Sequence, residues 1–233
     1  GIKITPAGKL LQKKASQIIN LENTARMEIS GNQDHIQVTM CGEELLLAKY
    51  AIELTNKVSD IYPDTSFKYT TRNEAKSVVQ KILNGEAHLG FTTSLPPKGL
   101  HSKKLAKIKF ATCIAKNHPL YKLSNKPIHI DKLLEYPFVI PDKQILGKTK
   151  ENQSVDGWRD DKFKRSIKFQ ASSIKVLESI LASGQAIAYL PEYLIQDSGF
   201  TVLDIVGCPY FCEQFIYMIC RDPKELGWLN QVW

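Results

Sequence analysis

Ser172-Ser173-Ile174-Lys175-Val176-Leu177-Glu178-Ser179-Ile180-Leu181-Ala182-Ser183-Gly184-Gln185-Ala186-Ile187-Ala188-Tyr189-Leu190-Pro191 decides how this chain folds. Its first half predicts a helix, because Ile174, Leu177, Ile180 and Leu181 recur on one face at helical spacing. Ser172 or Ser173 suits the N-cap, where a hydroxyl accepts from a free first-turn N–H. Gly184 ends the helix, since glycine takes the left-handed conformation without steric penalty. Ala186 to Leu190 is a short apolar run that reads as a buried strand, stopped by Pro191. Helix, glycine, buried strand and proline make half of a parallel α/β unit. The N-terminus of such a helix lies where the preceding strand ends, and in an open α/β sheet ligands bind there.

The rest of the chain is long enough to place that unit in a larger α/β protein: 233 residues give one large domain or two small ones with a real core. No apolar run approaches the roughly 20 residues of a membrane span, and the opening Gly1-Ile2-Lys3-Ile4-Thr5-Pro6 lacks the apolar core of a signal peptide. No membrane partner is expected. Five cysteines without zinc-like spacing point to reduced thiols in a cytoplasmic protein, with no metal and no cofactor expected. The net charge of +7 permits an acidic partner such as DNA or an anionic ligand, and equally describes an ordinary soluble surface. The densest basic cluster, Lys103, Lys104, Lys107 and Lys109, has no interleaved aromatic residue before Phe110, which argues against a base-stacking surface.

Upstream, the chain alternates strand and helix. Thr5 caps and Pro6 opens a helix running to about Ile29, in which Leu11, Ala15, Ile18, Glu22, Ala25 and Ile29 alternate four and three apart as in a coiled-coil seam. Such a helix is expected to bury its stripe against a second copy, or else against its own domain. Gly31 to Asp34 is a polar hinge. His35–Cys41, Thr65–Thr71 and Ala87–Thr92 predict strands, separated by helices over Glu43–Ile61 and Ala75–Leu83. Two short strands follow, Leu100–Leu105 and Phe110–Ala115, then a short helix at Asp131–Leu134 and a strand at Pro137–Ile140. Residues 141–165 are polar and weakly patterned, with a helical turn expected at Gly157–Lys164. Ile167–Gln170, Phe200–Ile205 and Gln214–Cys220 predict further strands, and Glu192–Gln196 a short helix. A repeated β-α-β with one strand crossing out and another crossing back predicts two lobes, 34–111 with 215–233 and 112–214, preceded by a linker or dimerisation helix over 1–30. A cleft between the lobes is expected to collect strand ends and helix N-termini from both.

Several motifs then fall in a familiar order. Lys3-Ile4-Thr5-Pro6-Ala7-Gly8 resembles the "LTPAG" that opens the linker helix of LysR-type transcriptional regulators. Tyr62-Pro63 follows the first lobe helix, and Leu83-Asn84-Gly85-Glu86-Ala87-His88-Leu89-Gly90-Phe91 is similar to "L-x-x-G-x-x-D-hydrophobic-Gly". His118-Pro119-Leu120 matches "HPL", and Gly184 to Pro191 resembles "G-x-G-I-A-x-L-P". His88 stands where the family has aspartate and Ala186 where it has a second glycine. The resemblance spans the whole chain and implies a two-lobed periplasmic-binding-protein-like (type 2) α/β fold. It implies further a bacterial cytoplasmic transcription factor that responds to a small-molecule effector. The winged helix-turn-helix DNA-binding head is not in the sequence, which reads as linker helix plus effector-binding domain. The resemblance also implies a homodimer or homotetramer, and DNA binding through the missing head.

Within that frame the expected effector residues are Cys41, Gly42 and Glu43 at one helix N-terminus and Ser172 and Ser173 at the other. Thr92, Thr93 and Ser94 follow the third strand, Asn73 follows the second (after Thr71-Arg72), and Asp142 follows Pro141. Helix-terminal N–H groups with nearby hydroxyls favour a small carboxylate or other polar anion, held by Ser172, Ser173, Thr92 and Thr93. Each hydroxyl can equally serve as an ordinary cap, and Glu43 would repel an anion or select an amine. Cys41 reads either as a thiolate favoured by the helix N-terminus or as a buried structural cysteine. Cys208 and Cys212 lie near the return crossing, and a disulfide between them is demanding in geometry. The five histidines are scattered without a catalytic or metal spacing, and no phosphate-binding glycine loop is present, so no enzyme is expected. The alternative is a solute-binding protein of the periplasmic type for a small polar metabolite, which has no need of a long dimerising helix before its first strand.

Overall fold

A computed structural model describes residues 4–30, 36–72, 75–146, 151–224 and 227–233. The chain forms two compact units, Gly1–Ala106 with Ile216–Trp233, and Lys107–Phe215. Helix α1 (Pro6–Ser30) begins at its expected cap, the Thr5 hydroxyl accepting from the Gly8 N–H at 3.1 Å. Of the expected seam, Leu11 and Ile18 face outward, 71% and 66% exposed. The hinge at Gly31–Asp34 and His35 lie outside the described residues.

In the first unit β1 (Ile36–Gly42) lies between β2 (Thr65–Thr71) and β3 (Leu89–Thr92), parallel to both. The helix expected over Glu43–Ile61 is continuous but not uniform. Helix α2 (Glu44–Leu46) passes through a π-helical turn at Leu47–Ala51 into α3 (Ile52–Ile61). Leu46, Leu47, Ala51, Leu54 and Val58 are all buried, whereas Ile61 is exposed. Helix α4 (Ala75–Leu83) lays Val78 and Ile82 over β1 and β3. Strand β3 starts two residues later than expected, because Ala87 and His88 are already committed. Ala87 packs into the core with Cys41, Val78, Ile82 and Ile219, and His88 exchanges two hydrogen bonds with the Thr39 backbone.

The two strands expected at Leu100–Leu105 and Phe110–Ala115 are one, β4 (His101–Ile114). The lysines between them do not break it. Lys107 and Lys109 point outward while Ile108 and Phe110 are buried, which is the period-two alternation of a half-buried strand.

In the second unit His118-Pro119-Leu120 opens a 3-10 turn (Pro119–Leu123). His118 is buried and its Nδ1 caps the turn by accepting the Leu120 N–H at 3.2 Å. Burial also lowers the His118 pKa, which keeps that acceptor neutral. Next come β5 (Ile128–His129), α5 (Ile130–Leu134), β6 (Pro137–Pro141) and β7 (Ser166–Ala171), the last two parallel. Within Gly157–Lys164 one helical turn closes, the Arg159 carbonyl accepting from Lys162 at 3.0 Å and Phe163 at 2.8 Å, and it does not extend into a helix. Helix α6 (Ile174–Ala182) follows, with Leu177 and Leu181 buried against Val139, Ala188 and Leu190.

Strand β8 (Ala188–Pro191) is shorter than the apolar run that predicts it. Ile187 bonds to Pro137 and Val139 of β6, and only from Ala188 does the chain pair with β4. Helix α7 (Glu192–Asp197) comes next. The strand expected over Phe200–Ile205 divides into β9 (Thr201–Val202), paired with β4, and β10 (Ile205–Val206), paired with β5. Between them the Leu203 N–H donates to Thr112 and the Asp204 carbonyl accepts from Ile128, so the chain changes partners within two residues. Strand β11 (Glu213–Cys220) returns to the first unit, antiparallel to β3, and α8 (Gly227–Val232) ends the chain.

Gly184 adopts φ +74°, and a Cβ there would lie 2.5 Å from the Asn117 side chain. Gly184→Ala is therefore expected to lower the unfolding free energy by about 1–2 kcal/mol from the left-handed backbone alone, with the clash adding to it, as read by urea denaturation.

Candidate functional site

Each unit gathers its candidate residues where parallel strands end beside a helix N-terminus. In the first unit Gly42 pairs with Thr71 on one side and Phe91 on the other. The segments that leave those strands therefore emerge side by side. The Arg72 N–H donates to the Gly42 carbonyl at 2.7 Å, and its guanidinium donates to the Thr71 carbonyl. A Cβ at Gly42 would sit 2.8 Å from the Phe91 carbonyl oxygen, so this close approach needs glycine. Glu43 is the N-cap residue of α2; its carbonyl accepts from Leu46 and Leu47, and its buried carboxylate accepts from the Thr93 hydroxyl at 3.5 Å. The buried Thr92 hydroxyl accepts from the Ser94 N–H at 3.1 Å, which folds the end of β3 back on itself. Thr93 and Ser94 are half-buried. Asn73 lies outside the described residues.

Cys41 does not belong to this group. Its side chain points into the core beneath α4, with Sγ 3.9 Å from the Val78 carbonyl. Burial pushes the thiol up to about 12, more than Lys81 and Arg72 draw it down. The helix N-terminus two residues on does not overcome that desolvation, so the thiolate reading gives way to a structural cysteine. No disulfide joins Cys208 and Cys212, the pairing weighed from their place near the return crossing.

In the second unit Pro141 pairs with Ala171, and the Asp142 N–H donates to the Ala171 carbonyl at 3.0 Å. Asp142, Ser172 and Ser173 are exposed beside one another. Ser173 is the N-cap of α6 and its carbonyl accepts from Leu177, but its hydroxyl makes no capping bond. The expected capping role is thus unfilled on the side-chain side. The first-turn N–H groups have no side-chain acceptor at the cap, and the Ser173 hydroxyl is not spent on them.

Two features were not legible from spacing. Arg72 enters the first group through its backbone bond to Gly42, a contact that only the strand register creates. In the second unit the patternless stretch before β7 is organised by Arg165, whose side chain is wholly buried. Its guanidinium donates to Asp156 at 2.6 and 3.2 Å, to Asp160 at 2.9 and 2.8 Å and to the Ser154 hydroxyl at 3.1 Å. It also lies over the Trp158 and Phe138 rings, 5.0 and 5.3 Å from their centroids. Burial pushes the Asp160 carboxyl up, but the hydrogen bonds and charge of Arg165 outweigh it and hold that carboxyl below its ordinary value.

Among the described residues no group of three or more His, Cys, Asp or Glu side chains is placed to hold a metal ion, and no helix is long and apolar enough to cross a membrane.

Residues 37–227 match the family model described as "LysR substrate binding domain". A comparison with curated protein sequences found no match. Among solved structures, the chain is similar to the BenM effector-binding domain with its effector benzoate (13% identity, TM-score 0.61, 84% of this chain and 88% of that one). It is similar also to the CcmR regulatory domain of Synechocystis PCC6803 in complex with 2-PG (18% identity, TM-score 0.62, 84% and 92%). Full-length CbnR complexed with its target DNA matches at 16% identity and TM-score 0.63 over 99% of this chain and 81% of that one. The fold, the motif order and the family model agree: the chain belongs to the LysR substrate-binding domain family and is the effector-binding part of a LysR-type transcriptional regulator.

Proposed function

We propose that the chain senses a small organic acid, recognised by strand-end groups of the second unit. In the second unit the anionic group is received at the N-terminus of α6, by the Ser172 and Ser173 hydroxyls and the first-turn N–H groups. A helix terminus favours negative charge there through both its free donors and its dipole. The observation that carries this reading is the uncapped Ser173: a good capping residue in N-cap position whose hydroxyl does not cap. Taken by itself, the first unit's strand-end cluster of the buried Glu43 carboxylate with Thr92, Thr93 and Ser94 suits a hydrogen-bond donor such as a hydroxyl or amino group and disfavours a carboxylate there. Similar domains with benzoate and 2-PG support an acidic effector.

The output is binding rather than chemistry. The effector shifts the regulator toward the conformation it binds more tightly, by no more than that difference in affinity. The exposed seam of α1 pairs with a second copy in a homodimer or homotetramer, which presents DNA-binding heads to the operator in the cytoplasm. A thermal-shift screen tests the ligand class. Hydroxy and amino organic acids should raise the melting temperature, and simple amines should not. Ser173→Ala should weaken the responding acid by about tenfold, the loss of one hydrogen bond to a charged group. No response to any acid, or an equal response from Ser173→Ala, removes the proposal.

A further inference from the structure

The β4–β8 ladder has two faces with different fates. Ala111, Cys113, Ala188 and Leu190 face the core packed by α6 and α7. Phe110, Thr112 and Tyr189 alternate with them and face the other way, into a pocket of about 420 Å³ that lies wholly within the second unit. We propose that this pocket is a second small-molecule site, for an organic cation with an apolar body, received by the rings of Trp158, Tyr189, Tyr210 and Phe211 and by the carboxylates of Glu192 and Asp204.

The open rings are those of Tyr210 and Phe211, 41% and 68% exposed, in front of the buried Trp158 and Tyr189. The Trp158 indole N–H is already given to the Phe163 carbonyl at 2.8 Å, and the Tyr189 hydroxyl accepts the Cys212 N–H at 2.9 Å. Trp158 meets Tyr189 edge-on at 5.3 Å, and Phe110 lies 5.8 Å from the same ring, so the aromatic wall is fixed by its own packing. Aromatic faces attract cations through their quadrupole. Two of these rings already do so inside the protein: Arg165 lies 5.0 Å from the Trp158 centroid and Arg159 4.5 Å from that of Tyr210. Arg159 is neutralised by Asp161 at 2.6 Å. Among the described residues that line the pocket the charged ones are Glu192 and Asp204, so the charge they present is negative. Its volume falls in the range of small-ligand sites. None of Asp142, Ser172 and Ser173 lines it. The inference is therefore independent of the acid-sensing reading, and the opposite ligand charge keeps the two apart.

Benzyltrimethylammonium titrated into the protein by calorimetry tests this. The expected result is saturable binding with a dissociation constant of about 1 mM or tighter, the range a ligand of this size reaches. Benzyl alcohol and benzoate should bind at least about tenfold more weakly, because the cation supplies the selectivity. Phe211 is 68% exposed, so Phe211→Ala should leave the melting temperature unchanged and weaken the cation about fivefold or more. The double variant Glu192→Gln, Asp204→Asn should do the same, and Ser173→Ala should have no effect. The proposal is overturned by any of three results: no saturable binding, equal binding of benzyl alcohol, or an affinity unmoved in both pocket variants.

Discussion

Arg165→Met is expected to cost about 3–5 kcal/mol of stability, enough to melt the second unit under mild denaturant. The reason is what it leaves behind. Asp156 and Arg165 have no side-chain exposure, and their contact at 2.6 Å is the interior partner of each charge. Removing the guanidinium strands a carboxylate in a low-dielectric site and takes away the donor to Asp160 and Ser154. Two rings lose their packing partner as well. The double variant Arg165→Met, Asp156→Asn should be the milder one, because the only carboxylate then left without Arg165 is the partly exposed Asp160. Urea unfolding of the two single variants and the double one measures this as a coupling energy. A loss below about 1 kcal/mol for Arg165→Met would show that water reaches Asp156 and that the network is not closed.

The second large effect is on acid stability. His88 accepts the Thr39 N–H at 2.9 Å through Nδ1 and meets Trp228 edge-on at 5.9 Å. Burial, with a smaller contribution from the Arg221 charge, lowers its pKa from 6.5 to about 4. An accepting Nδ1 must also carry no proton, which agrees with a neutral ring. Above pH 6.5 neither the folded nor the unfolded chain protonates this ring. As pH falls from 6.5 toward 4 the unfolded chain binds a proton there and the folded chain does not, so stability declines across that window. A shift of this size corresponds to about 3 kcal/mol once both states are protonated. His88→Asn keeps an acceptor at the δ1 position and has nothing to titrate. The difference between the two proteins' unfolding free energies should therefore change by that amount between pH 7 and about pH 4. Parallel pH profiles for the two would falsify the assignment.

The motifs shared with the family turn out to be folding devices, which explains why they were readable in a single sequence. His118 caps a turn, Pro119 occupies its first position and Leu120 is buried; all three depend on local geometry. Gly184 terminates α6 for the same kind of reason. Periodicity likewise exposed α4, whose apolar face buries Val78 and Ile82. What periodicity missed depends on partners distant in sequence. The break in the Ala186–Leu190 run arises because Ile187 bonds to β6 and the chain pairs with β4 only from Ala188. The division of Phe200–Ile205 arises from the same kind of change of partner. Arg165 was invisible because an ion pair across nine residues leaves no apolar repeat. At the candidate site the strand ends were predictable from the α/β pattern, but which way a side chain points there was not. Cys41 and Glu43 are two residues apart, yet one is locked in the core and the other bonds to Thr93.

The division of the chain into Gly1–Ala106 with Ile216–Trp233, and Lys107–Phe215, also orders its birth on the ribosome. The second unit is one uninterrupted stretch and can close as soon as it emerges. The first must wait: the interior of its sheet is incomplete until Ile219 arrives to cover Cys41 and Ile82, and His88 has no ring to meet until Trp228 is made. The earlier-translated half is thus the later to finish. A nascent chain halted before Ile216 would display a mature second unit beside an open, apolar-faced first one, the form most in need of a chaperone's cover.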